Sequence, residues 1–171
     1  TRVGVVTFSG DLDPGYPDAF TRVPLTGAFV KVRRGLREVL DAGPHGMTLR
    51  SGIHVATIEL LGTASAYSQP REDARKIIIF LTDGKPTLPH EGRPAGNTRA
   101  AIGGAKKAAR ARIRIDTYAI GEKALREPIV AELSKQTKRD FGNGIMHRHC
   151  GVGHMAKEED ATAPTIVRCL L

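Results

Sequence analysis

Tryptophan is missing from this 171-residue chain, and aromatic residues of all kinds make up only 5% of it. A core without large rings must be built from aliphatic side chains and alanine. Cysteine is equally scarce, with Cys150 and Cys169 both near the end. Two cysteines without a repeated spacing exclude a disulfide framework and read as incidental thiols. No apolar run approaches the roughly 20 residues that cross a bilayer as a helix. No signal peptide opens the chain. It starts without Met on "TRVGVVTFSG", which has the composition of a fold interior, and we expect the polypeptide to begin earlier. Acidic residues are outnumbered, 18 Asp+Glu against 26 Lys+Arg. The basic excess favours anionic partners, but it is spread along the chain, so it permits nucleic-acid binding without requiring it.

What the chain does have is aliphatic runs separated by turn residues. "KIIIFLTDGKPTLP", Lys76 to Pro89, sets an unbroken apolar stretch, Ile77 to Leu81, just before a carboxylate at Asp83. A continuous run bounded by turn residues predicts a strand covered on both faces, as in parallel sheets. "RVGVVTFS", Arg2 to Ser9, and "IRIDTYAIG", Ile113 to Gly121, predict two more strands. "TRVPL", Thr21 to Leu25, reads as a short edge strand because of Pro24.

Apolar spacing predicts a helix over 28–42 with Phe29, Val32, Leu36, Val39 and Leu40 on one face, stopped by Gly43-Pro44. A second helix is capped by Thr48 or Ser51 and turns Ile53, Ala56, Leu60 and Leu61 inward. Residues 62–73 read as a connecting loop, and so do residues 84–97. A third helix spans Thr98 to Arg112, with Ile102, Ala105, Ala108 and Ala109 inward. A fourth begins at Pro128 and runs to about Thr137. Ile145 to His149 reads as a last short strand. Strands alternating with helices predict an α/β domain with a mostly parallel sheet. Ligands of such sheets gather at the carboxyl ends of the strands. Asp83, one residue past a buried strand, therefore stands at the rim where sites are built.

Several chemistries fail on spacing. "LTDGKPT" lacks the first glycine of a phosphate-binding loop and has Pro86 where a hydroxyl residue is needed. Ser9 has no nucleophile-elbow glycines around it. His147, His149 and Cys150 have no second cluster to complete a zinc site. No nucleophile–base or carboxylate pair stands at a recognised spacing, and we expect no enzymatic activity. Oxygen donors remain: Thr48 before a helix and Asp83 after a strand suit a hard cation. The plainer reading is that Thr48 caps its helix and Asp83 closes a turn.

In order and at plausible distances, "RVGVVTFSGD", "VPLT", "GMTLRSGIHVA", "KIIIFLTDGKPT" and "IRIDTYAIG" resemble the von Willebrand factor A (vWA) domain, in a form of bacterial type, over about residues 1–145. The resemblance implies a Rossmann-like three-layer sandwich with a mainly parallel sheet. It implies a vWA-like unit over residues 1–149 and a divergent or disordered tail over 150–171. Many vWA domains carry a metal-ion-dependent adhesion site (MIDAS). It is built from an Asp-x-Ser-x-Ser segment after the first strand, a later Thr, and an Asp after the fourth strand. Thr48 and Asp83 match the last two. By resemblance they would take magnesium, and an acidic residue of a partner protein would complete its coordination. Met47, Gly84 and Lys85 would border that contact.

Asp-x-Ser-x-Ser occurs nowhere in the chain. The first family strand, which lies mid-sheet between the segments matching residues 2–9 and 76–82, has no counterpart. We expect either a longer polypeptide or a partner to supply it, and magnesium binding to be weak or absent without it. The leading expectation is a protein-interaction module. The alternative is RNA binding through the basic helix at residues 99–114, with Arg99, Lys106, Lys107, Arg110, Arg112 and Arg114.

Overall fold

β-Branched residues build the first hairpin. The strand β1 (Val3–Phe8) pairs antiparallel with β2 (Ala19–Thr26). The predicted edge strand is longer than Thr21 to Leu25 and absorbs its proline in a bulge. Val3 faces Thr26 and Val5 faces Val23, so two steps on β1 answer three on β2. Pro24 is exposed there, where no ladder bond is required of it. The helices α1 (Phe29–Leu40) and α2 (Leu49–Leu61) follow, then β3 (Lys76–Thr82), α3 (Pro94–Arg110) and β4 (Ile113–Ala119). This computed structural model describes residues 1–9, 18–40, 48–82, 86–87, 93–120, 124, 126–130, 132–133 and 135. The fourth helix begins at Pro128 as expected, with helical backbone at residues 128–130, 132, 133 and 135. The expected Gly43-Pro44 stop, the strand at 145–149 and the tail at 150–171 lie outside the described residues.

β3 and β4 pair in parallel over their full length, Lys76 with Ile113 through Thr82 with Ala119. Among the described residues, β1 pairs with β2 and β3 with β4, as two two-stranded sheets with no ladder between them. They nonetheless share a layer. The ring of Phe8, the last residue of β1, stacks on Phe80 of β3 with centroids 5.0 Å apart and planes 9° apart. α2 covers that pair: a Cβ at Gly52 would fall 2.6 Å from the Phe8 ring, so only glycine lets the helix approach so closely. α1 lies on the opposite face. Its Gly35 sits against Val23, which shares a face with Val5, whereas Glu59 of α2 bonds Thr21, which shares a face with Val6. Helices on both sides of a strand layer make the chain an α/β Rossmann-like sandwich.

The main core joins Leu49 and Ile53 of α2, Ile78 and Phe80 of β3, Ala101, Ala105 and Ala108 of α3, and Ile113 and Ile115 of β4. Small alanines let α3 lie close to the sheet, as the shortage of rings requires. α3 starts earlier than the expected Thr98, because Pro94 occupies its first turn, where a missing N–H costs nothing.

Three burial expectations are corrected. Phe29 is 51% exposed. Contact with the sheet is made at Gly35, roughly 9 Å further along the helix axis at 1.5 Å per residue. Leu61 is also exposed; Ile53 is buried and Ala56 and Leu60 pack against the core as expected, and Leu49, Gly52 and Glu59 of α2 are buried beside them. β3 is covered on one face only: Ile77 is 38% and Ile79 47% exposed, while Ile78 and Phe80 are buried.

Glu59 is the unexpected member of that inward side, a carboxylate 5% exposed. Its Oε1 accepts from the Thr21 hydroxyl at 2.8 Å and the Tyr67 amide at 3.1 Å. Its Oε2 accepts from the Ser68 hydroxyl, whose oxygen accepts from the Leu25 amide at 2.8 Å. The acid thus fastens α2 to β2 and to the loop leading to β3. Gly62 turns the chain into that loop from the left-handed region, φ 64°, and its amide donates to Ile58. Among the described residues, no helix is long and apolar enough to cross a membrane.

Candidate functional site

Thr48 stands at the N-cap of α2, and its carbonyl accepts from the amides of Ser51 at 3.2 Å and Gly52 at 3.3 Å. A capping threonine ordinarily turns its oxygen onto an amide of the first turn. This one makes no side-chain capping bond. The residue is 1% exposed and its Oγ1 has no hydrogen-bond partner. The capping reading is therefore corrected: Thr48 holds the cap position, but its hydroxyl does not cap. A buried hydroxyl left unpaired costs about 1–3 kcal/mol, so the group is held against a stability gradient.

The fold places this hydroxyl at the carboxyl ends of the strands. One turn along α2, Gly52 lies on Phe8, which ends β1, and Phe8 stacks on Phe80, two residues before the end of β3. Asp83 follows the last residue of β3 in sequence. Asp83, Met47, Gly84 and Lys85 lie outside the described residues, so of the sequence-derived site the structure places Thr48 alone.

Two further hydroxyls near this end, Thr7 of β1 and Thr117 of β4, are also buried without partners. Nothing in the sequence marked them, because threonine is ordinary in a strand. Among the described residues, no group of three His, Cys, Asp or Glu is placed to hold a metal ion. The Thr48 hydroxyl has the donor chemistry of a hard-cation ligand, but the described residues supply no carboxylate cluster around it.

The basic helix takes a clear form. Arg99, Lys106, Lys107, Arg110 and Arg112 are all exposed. Arg112 stands just past the helix with φ 57°, a conformation uncommon for a residue with a side chain. Arg114 does not belong to this surface. It donates to both Asp116 oxygens, Nε at 2.7 Å and Nη2 at 2.6 Å. These bonds to Asp116 hold its guanidinium more firmly protonated than usual, against the opposing effect of burial. Burial, followed by the Asp116 charge, pushes the nearby Tyr118 hydroxyl up.

Solved structures resemble this arrangement. An aerotolerance-related membrane protein from Bacteroides fragilis NCTC 9343, in a form with multiple mutations to serines, superposes with a TM-score of 0.57 at 21% identity, over 80% of this chain and 68% of that one. The conserved hypothetical protein BatB from Bacteroides thetaiotaomicron gives 0.55 at 22% identity, over 80% and 67%. The SpRpn10 VWA domain gives 0.51 at 18% identity, over 80% and 58%. The chain has the vWA-type fold. No family model matches it. The vWA resemblance put a strand between the segments that form β1 and β3, and among the described residues no ladder joins those two strands.

Proposed function

We propose that the chain is a protein-interaction module of vWA type, without enzymatic activity, whose contact surface is the rim around Met47, Thr48 and Asp83 to Lys85. The observation that carries this reading is the Thr48 hydroxyl, buried and unpaired beside the carboxyl ends of β1 and β3 in a vWA-type fold. Thr48 and Asp83 would hold a magnesium ion as part of an incomplete adhesion site. The ion, when bound, supplies an open coordination position for a partner's carboxylate. With so few donors from this chain, titration calorimetry at physiological magnesium is expected to register no binding. Tight binding would mean a site built from other residues.

Thr48→Val tests the role of the hydroxyl itself. If it were a cap, the substitution would destabilise the fold by about 0.5–2 kcal/mol. Kept for a ligand, its removal relieves an unpaired buried group, and urea unfolding should show an unchanged or higher stability, by about 1 kcal/mol. A loss of stability would return Thr48 to a structural role.

RNA binding is the second reading, favoured by the exposed basic residues of α3 and Arg112. Cross-linking mass spectrometry on the affinity-purified chain separates the two. The interaction reading requires protein cross-links at the rim that Thr48→Val abolishes and that a charge-reversed α3 leaves intact. Retention of RNA that falls steeply with salt and vanishes on charge reversal would replace it with the second reading.

A further inference from the structure

We infer that the pole opposite the Thr48 rim is a docking face for an anionic lipid surface, with Phe29, Val30 and Tyr67 entering the headgroup layer and the basic residues of α1 meeting its phosphates. β2 ends at Thr26, which faces Val3 at the start of β1. α1 therefore sets out from the amino-terminal end of β1, whereas Thr48 stands at the carboxyl end. Phe29 and Val30, the first two residues of α1, are 51% and 73% exposed, and Tyr67 is 77% exposed. Tyr67 belongs to the same pole. It lines one open cleft with Gly27 and Arg2, and the Leu25 amide donates to its neighbour Ser68 at 2.8 Å.

An isolated exposed apolar residue needs no explanation. Here the charge beside these residues selects the occupant. α1 carries Lys31, Arg33, Arg34 and Arg37 against one acid, Glu38, and all five are exposed. Residues four apart share a helix side, so Arg33 follows Phe29 and Arg34 follows Val30, roughly 6 Å further along the axis at 1.5 Å per residue. Arg37 continues the first row. The Arg34–Glu38 pair, 3.1 Å apart, is open to solvent on both sides and holds its partners only weakly. Apolar tips with guanidinium groups one turn behind match the layering of an anionic membrane. There, apolar side chains enter roughly 5–10 Å to the acyl boundary, and basic ones stay with the charged headgroups.

An acidic protein surface is the competing occupant. It would need a shaped recess for each projecting side chain, whereas a headgroup layer admits apolar tips in any arrangement. Tyr67 also suits lipid, since an apolar ring with a polar tip belongs where one end is dry and the other wet. Docked in this way, the chain holds its Thr48 rim away from the bilayer, so the lipid face stands independently of the interaction reading.

Two experiments on the full chain test this. The chain has no tryptophan, so a single introduced one reports its own surroundings. With vesicles of phosphatidylcholine and phosphatidylglycerol, Val30→Trp should give a blue-shifted emission that phospholipid brominated on its acyl chains quenches, while Lys107→Trp on α3 does neither. In the second, co-sedimentation of the unlabelled chain with the same vesicles should fall at least tenfold in Phe29→Ser/Val30→Ser, in Arg33→Glu/Arg37→Glu, and on vesicles of phosphatidylcholine alone. An unshifted Val30→Trp, equal binding to the neutral vesicles, or a response at Lys107→Trp in its place would each overturn the assignment. Absence of vesicle binding together with retention on polyglutamate that Arg33→Glu/Arg37→Glu abolishes would give the face to an acidic protein instead.

Discussion

Phe80→Ala is expected to lower the unfolding free energy by about 3–5 kcal/mol, a large share of what a single domain possesses. Phe80 is a buried ring in a chain with very few, it reaches Phe8 of the other strand pair, and it packs in the core with Leu49 and Ile53. Its removal opens a cavity and takes away the ring that joins the two strand pairs. The damage should therefore be uneven: hydrogen exchange should rise in β1 and β2 before β4. Gly52→Ala attacks the same joint from the helix side, by driving a methyl group into the Phe8 ring, at a cost of about 1–3 kcal/mol. Because both act through Phe8, the double variant should lose less than the sum. A loss below about 1 kcal/mol for Phe80→Ala would show that the two halves are held together elsewhere.

Glu59 gives the second large effect. At neutral pH, Glu59→Ala leaves the Thr21 hydroxyl, the Tyr67 amide and the Ser68 hydroxyl without their acceptor, an expected loss on the order of 3 kcal/mol. Glu59→Gln keeps the shape but not the charge, and should cost about 1–2 kcal/mol. Burial pushes the Glu59 carboxyl up, but the bonds from Ser68, Tyr67 and Thr21 outweigh it, and the net shift is downward. The unfolded chain, with a Glu near about 4.3, then takes up its proton before the folded one does. The stabilisation is complete above that value and is lost as pH falls through the lower folded value. Urea titrations at pH 7 and pH 3 should show the gap between wild type and Glu59→Gln narrowing in acid. A gap that stays constant would mean that the charge plays no part in the latch.

Elements were legible where sequence and environment agreed. The run in β3 is unbroken, β1 and β4 are rich in β-branched residues, and all three appear with ends close to those expected. The start of α3 was hidden because Pro94 belongs to a stretch rich in proline and glycine, and composition alone does not separate a first-turn proline from a loop one. The burial of Gly52 and Glu59 on α2 was hidden for a different reason. A hydrophobic stripe passes over Gly52 and Glu59, yet one is needed for its lack of a side chain and the other for its hydrogen bonds. Exposure of Ile77 and Ile79 was not legible either, since an apolar run reports what a strand can tolerate and not which neighbours are at hand. At the site, the donor chemistry of Thr48 could be read from its position before a helix. That its oxygen would be left unpaired could not, because capping is the ordinary fate of a threonine there.

The bulge at Pro24 carries a consequence for solution behaviour. The bulge bends β2 out of register and the Leu25 amide is already taken by Ser68, so this strand offers a poor seed for end-on stacking of further molecules. Concentrated solutions of the chain should therefore resist fibril growth through β2.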